Sequence, residues 1–160
     1  MASEKLKFNI ELFSEYWDQA PTCEVLINSE SKWTGTVDGT KEQPTRITFE
    51  HELEEGTKYQ LILNRQGKGK GQTVVDDQGN IIKDQLMHIK YIEIDEIDIG
   101  PLVFEGFYKP EYPEPWATQQ KQKGVVLEES FKNVTAMGHN GTWTFSFESP
   151  FYMWLLENLY

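Results

Sequence analysis

Hydrophobic and polar residues alternate along most of this 160-residue chain, and the dominant period is two. Between residues 5 and 12, KLKFNIEL sets Leu6, Phe8, Ile10 and Leu12 on one side of an extended segment. Successive strand side chains point to opposite faces, so this pattern predicts a half-buried strand. CEVLINSE and the segment 33–37 predict the next two strands, followed by an Asp38-Gly39 turn signal. TRITFEHEL aligns Ile47, Phe49 and His51, with Leu53 in phase, before Glu54-Glu55-Gly56-Thr57 turns the chain into KYQLILN. RQGKGKGQ follows, too rich in glycine for regular structure. QTVVDD and GNIIKD predict a short hairpin around Asp77-Gln78-Gly79-Asn80.

LMHIKYIEIDEIDIG is the longest β-branched run. Met87, Ile89 and Tyr91 share a face, after which Ile92 and Ile94 take over, and then Ile97 and Ile99. A slip of one residue moves side chains to the other face of a sheet. A bulge is therefore expected near Tyr91 and a bend near Asp95. Residues 108–123 form the longest stretch expected to be irregular. GVVLEESF and FKNVTAM predict further strands. An Asn140-Gly141 signal then leads into GTWTFSFES, which aligns Trp143, Phe145 and Phe147 before Pro150 closes it. FYMWLLENLY reads as a terminal helical turn, with a last strand packing on the core as the alternative. About ten short strands at this spacing indicate one all-β domain over residues 1–160, an antiparallel β-sandwich of jelly-roll type with a short C-terminal helix.

Composition narrows the function. Five Trp, seven Tyr and nine Phe favour β-structure and aromatic surfaces. The formal net charge is −11, spread evenly: residues 1–80 carry 14 acids and 9 bases, residues 81–160 carry 12 and 6. Such a surface repels phosphate backbones and anionic membranes, so neither nucleic acid nor a membrane is expected as partner. Cys23 is the single cysteine, so no intrachain disulfide forms, and its neighbour Glu24 disfavours a thiolate. The N-terminus lacks the pattern of a signal peptide, and no apolar run reaches the length of a membrane span, so a soluble protein is expected.

Catalytic patterns are absent from the sequence. His51, His88 and His139 stand apart, and His51-Glu52 lacks the second histidine of HExxH. GKGKGQT has the composition of a phosphate loop without its spacing. With 26 acids, carboxylate pairs are unavoidable and carry no signal for glycoside hydrolysis. An enzyme is not expected.

Two segments carry binding chemistry. Asp76, Asp77 and Asp84 surround the short hairpin and could supply oxygen ligands to calcium. The competing reading is turn chemistry, with Asp77 and Asn80 satisfying backbone amides. The second segment is YKPEYPEPW, residues 108–116. Pro110, Pro113 and Pro115 fix its backbone, so that Tyr108, Tyr112 and Trp116 could present flat faces to sugar rings. Gln119 and Gln120, with Glu111 and Glu114, would meet the hydroxyls. The competing reading makes Tyr108 or Trp116 a plug at the end of the sandwich. Trp33, Trp143 and Trp154 are expected in the core.

The stretch from Glu54 to Ile99, with its QTVVDDQGNIIKD turn and its I-x-I-D run, resembles the jelly-roll domains of calcium-dependent carbohydrate-binding modules. YKPEYPEPWATQQ and NGTWTFSFESPFYMWLLENLY resemble segments of small virion-associated proteins of tailed bacteriophages. The first resemblance implies calcium on Asp76, Asp77 and Asp84. Together they imply a non-catalytic module that binds a glycan or polysaccharide, carried on a virion. The alternative is a structural virion or assembly protein that docks on a protein neighbour without binding sugar.

Overall fold

The computed structural model describes residues 2–159. In chain order its strands begin with β1 (Ser3–Glu15), β2 (Thr22–Ile27), β3 (Glu30–Thr36), β4 (Thr45–Glu54) and β5 (Lys58–Gln66). They continue with β6 (Val74–Val75), β7 (Ile81–Lys83), β8 (Leu86–Ile94) and β9 (Ile97–Asp98). A 3-10 turn over Gly100–Glu105 leads to β10 (Phe107–Pro110), then helix α1 (Trp116–Gln122), β11 (Ala136–Met137), β12 (Gly141–Glu148) and helix α2 (Phe151–Leu159). One sheet runs β11-β8-β1-β4, with β9 folded back on β8; the other runs β10-β12-β5-β2-β3. Pairing is antiparallel throughout. The β6–β7 hairpin pairs with neither sheet. This is the expected all-β antiparallel sandwich.

Alternation explains the layers. Leu6, Phe8, Ile10 and Leu12 of β1 are buried, as are Trp143, Phe145 and Phe147 of β12. Phe8 meets Phe147 across the interior with ring centroids 6.1 Å apart. Each such side chain contributes on the order of 1.5–3 kcal/mol by leaving water. The bulge expected near Tyr91 falls on Lys90: Glu11 pairs with Tyr91, but Leu12 pairs with Ile89. The extra residue lets Met87 and Ile89, then Ile92 and Ile94, all face the core. The bend at Asp95 is a two-residue hairpin turn, with Asp95 and Glu96 at φ 53° and 68°.

Two expectations need correction. Residues 108–123 are not irregular throughout, since they contain most of β10 and all of α1. Pro110 is accommodated because it ends a strand on the sheet's edge. The strands expected in 124–137 shrink to the two residues of β11 and one bridge, Phe131 with Tyr108. Here the chain leaves the edge of the second sheet and joins the edge of the first, so it cannot keep a ladder with either. Val126 is accordingly 81% exposed.

The C-terminal helical turn extends to the nine residues of α2. The Glu4 carboxylate receives the Phe151 N–H at 2.8 Å and the Ser149 hydroxyl, which ties the helix start to β1. Phe151 is fully buried, and Trp154, partly buried, meets Phe145 edge-on at 5.7 Å. Trp143 is core as expected, and Trp33 is partly buried against the core. Cys23 is buried, and its thiol is pushed up to about 12, chiefly by desolvation and then by Glu24. Among the described residues no helix is long and apolar enough to cross a membrane.

Candidate functional site

Three remote segments converge at one end of the second sheet. β5 leaves that sheet at Gln66 into the glycine–lysine loop and the β6–β7 hairpin. β10 ends there at Pro110, opposite Gly141, the first residue of β12. Gly141 is needed for this approach, since a Cβ would lie 2.2 Å from the Lys109 carbonyl oxygen. Between the three segments opens a cleft of about 680 Å³. Val75 and Ile81 of the hairpin form one wall, and Pro113 and Trp116 form the other. Lys68, Asp84, His139 and Asn140 make the polar floor.

Hydrogen bonds hold the floor rigidly. The Asn140 side-chain oxygen accepts from Arg65 Nη1 at 2.8 Å and from the Lys68 N–H at 2.9 Å. Its amide nitrogen donates to the Lys68 carbonyl at 3.1 Å. Arg65 is fully buried below and donates its other terminal nitrogen to the Gln85 carbonyl at 2.8 Å. Burial lowers the pKa of its guanidinium, while Tyr108 and Asp84 oppose that shift. Lys68 Nζ donates to Asp84 Oδ1 at 2.9 Å and to the Gly138 carbonyl at 2.6 Å. The same Asp84 oxygen accepts from the Thr73 hydroxyl at 2.7 Å and the Gln85 N–H at 2.8 Å. Burial works to raise the Asp84 pKa, but the bonds from Thr73, Lys68 and Gln85 together hold it below the usual carboxylate range. Behind the hairpin, the Trp17 indole N–H donates to the Gln72 carbonyl at 2.9 Å and Lys83 Nζ sits 4.5 Å from the Trp17 ring centroid.

The YKPEYPEPW segment divides between packing and exposure: Tyr108 is buried, whereas Trp116 stays at the surface. Tyr108 is 4% exposed, so its ring cannot receive a ligand, and the expectation that it does is corrected. Its register opposite Trp143 turns it into the core. Its hydroxyl donates to the His139 carbonyl at 2.5 Å and accepts from the His139 N–H at 2.9 Å. Burial pushes that phenol up to about 12. Trp116, at the first position of α1, is 39% exposed and lines the cleft. It packs with Tyr112 and His139 in a triangle of ring centroids 6.0, 5.4 and 5.7 Å apart. The Tyr112 hydroxyl donates to the Glu128 carbonyl at 2.6 Å, which anchors the ring that backs Trp116. Gln119 and Gln120 lie further along α1 and do not line the cleft.

His139 and Asn140, together with the buried Arg65, were not singled out as site residues by sequence pattern. The signal available was the Asn-Gly turn, which marks a hairpin but not its neighbours. Burial and the nearby cations Lys68 and Arg65 lower the pKa of His139, with Asp84 opposing, and so favour a neutral imidazole.

The three aspartates expected to hold calcium are not brought together. Asp76 caps its own turn, accepting from the N–H groups of Gln78 and Asn80, each at 2.9 Å. The Asn80 bond is the main cause of its lowered pKa. Asp77 is exposed beside it. Asp84 lies at the hairpin's root, already paired with the Lys68 ammonium. Among the described residues, no group of three or more His, Cys, Asp or Glu side chains could hold a metal ion. This donor set does not fit calcium, because a tethered cation already neutralises its best ligand.

No protein-family model matches the chain, and no curated protein matches it. Two solved structures are similar in overall outline. One is described as vCBM60 in complex with galactobiose, with TM-score 0.46 and 9% identity over 87% of this chain and 96% of that one. The other is a selenomethionine form of vCBM60, described among calcium-dependent carbohydrate binding modules, with TM-score 0.48 and 7% identity over 88% and 89%.

Proposed function

We propose that the cleft binds a carbohydrate without turning it over. The observation that carries this reading is Trp116, a large aromatic left exposed beside a fixed floor of hydrogen-bonding groups. A sugar ring has one apolar C–H face and a rim of hydroxyls. The indole takes the face, while Asn140, His139 and the Lys68–Asp84 pair lie within reach of the rim. The backing by Tyr112 and His139 sets the indole before a ligand arrives, so little entropy is lost on binding. This reading assigns no role to a metal.

One sugar face covering roughly 60 Å² of indole is worth about 1.5 kcal/mol at 25 cal/mol per Å². Sites of this kind are weak singly and gain from multivalent display, as on a virion. Affinity electrophoresis through gels containing neutral polysaccharides tests the reading. Trp116→Ala should lower affinity on the retained polysaccharide about tenfold. Equal retention of wild type and variant would refute it.

A second reading, docking on a protein neighbour such as a virion subunit, draws on the outer side of α2. There Tyr152, Met153 and Leu156 are 46%, 61% and 62% exposed. A defined oligomer in light scattering that Leu156→Lys dissolves would favour it.

A further inference from the structure

We infer that the Lys68–Asp84 ion pair is the element that reads a sugar hydroxyl, and that it limits the ligand to uncharged sugars; this rests on the carbohydrate reading above and names its ligand class. Most surface ion pairs are solvated and contribute little. This pair lines the cleft with side chains only 12% and 20% exposed.

Its unspent valences define what it takes. An ammonium has three donors, and Lys68 uses two, on Asp84 Oδ1 and the Gly138 carbonyl. Asp84 Oδ1 accepts three bonds, from Lys68, Thr73 and the Gln85 N–H, while Oδ2 accepts none among the described residues. One N–H of Lys68 and one oxygen of Asp84 therefore remain unused on this ion pair. A hydroxyl is a neutral group that accepts from the first and donates to the second. Both ends are fixed in advance. Asn140 grips the Lys68 backbone on two sides, and Gln85 pins the carboxylate.

Charge sets the class. A uronate or sulfate would compete with Asp84 for Lys68 and leave that carboxylate uncompensated in a partly buried place. The remaining charged residues of the lining are Lys70, Glu111 and Glu114. With Lys68 and Asp84 the lining holds two bases against three acids, so an anionic sugar is opposed there as well. The neutral His139 ring does not alter that balance.

The test is affinity electrophoresis of the full chain against soluble galactan, mannan, xylan and β-glucan, with polygalacturonate as the acidic probe. Wild type is expected to be retained by a neutral polymer and not by polygalacturonate. Lys68→Met and Asp84→Asn should each weaken neutral retention about tenfold, the scale of one charge-assisted hydrogen bond. Asp84→Asn, which frees the ammonium, should gain retention on polygalacturonate. O-methylation of the retained neutral polymer should abolish its binding to the wild type, a measurement that needs no variant to fold. Thermal midpoints of the variants identify any that unfold. If Trp116→Ala lowers retention while both pair variants bind like wild type, the ion-pair inference falls and the cleft reading stands. Retention on polygalacturonate by wild type overturns the charge selection. No retention by any polymer overturns both readings.

Discussion

Asn140→Ala is the sharpest probe of how the cleft is built. The Asn140 side chain is the partner of Arg65 Nη1 and of both backbone groups of Lys68. Arg65 is fully buried, and its Nε has no partner among the described residues. Truncation would leave the guanidinium with only the Gln85 carbonyl. Losing a bond to a charged group costs about 1.5–3 kcal/mol, and the Lys68 bonds add roughly 1 kcal/mol. The sum is about 3 kcal/mol. For a chain of this length it lowers the melting midpoint by roughly 6–12 °C, at about 2–4 °C per kcal/mol. Urea unfolding at pH 7 measures it. The decisive comparison adds Arg65→Met. A buried charge stripped of its partner costs more than an apolar side chain of similar shape. In the Asn140→Ala background, Arg65→Met should therefore be neutral or stabilising. A further loss of more than about 1 kcal/mol would mean that Arg65 is satisfied by something other than Asn140, and the account of the floor would be wrong.

Three other outcomes follow from the same geometry. Tyr108→Phe keeps the packing but removes both bonds to the His139 backbone, so stability should fall by about 1–2 kcal/mol and sugar retention should weaken; unchanged values in both assays would show that Tyr108 does not position His139. Because the folded His139 pKa lies below its ordinary 6.5, the unfolded chain binds more protons as pH drops through that value, and stability should decline there. His139→Gln should flatten that decline in urea titrations between pH 8 and 5, leaving the part due to His51, which is shifted the same way by burial; an unchanged slope would remove His139 as a cause. Since the aspartates are not gathered, millimolar calcium or a chelator should leave the melting midpoint unmoved, and a rise of several degrees with calcium would restore the metal expectation.

Period-two alternation in the sequence determined which faces are buried. Leu6, Phe8, Ile10 and Leu12, or Trp143, Phe145 and Phe147, read as core because a strand's burial is encoded in its own spacing. The slip in LMHIKYIEIDEI marks the bulge and the turn for the same reason. Pairing partners are not encoded locally. GVVLEESF has a strand's composition, yet in crossing between sheet edges it finds no ladder. Tyr108 looked like Trp116 in sequence, but β10 pairs beside β12 in the register that turns Tyr108 inward. Lys68, Asp84, Trp116, His139 and Asn140 come from segments far apart in the chain. Only the closing of β5, β10 and β12 into one sheet places them around a common cleft. The same closure put Lys68 on Asp84, where the sequence had suggested calcium. Alternation is a property of neighbours in the chain, whereas a site is made by neighbours in space, and those are chosen by long-range hydrogen-bond register.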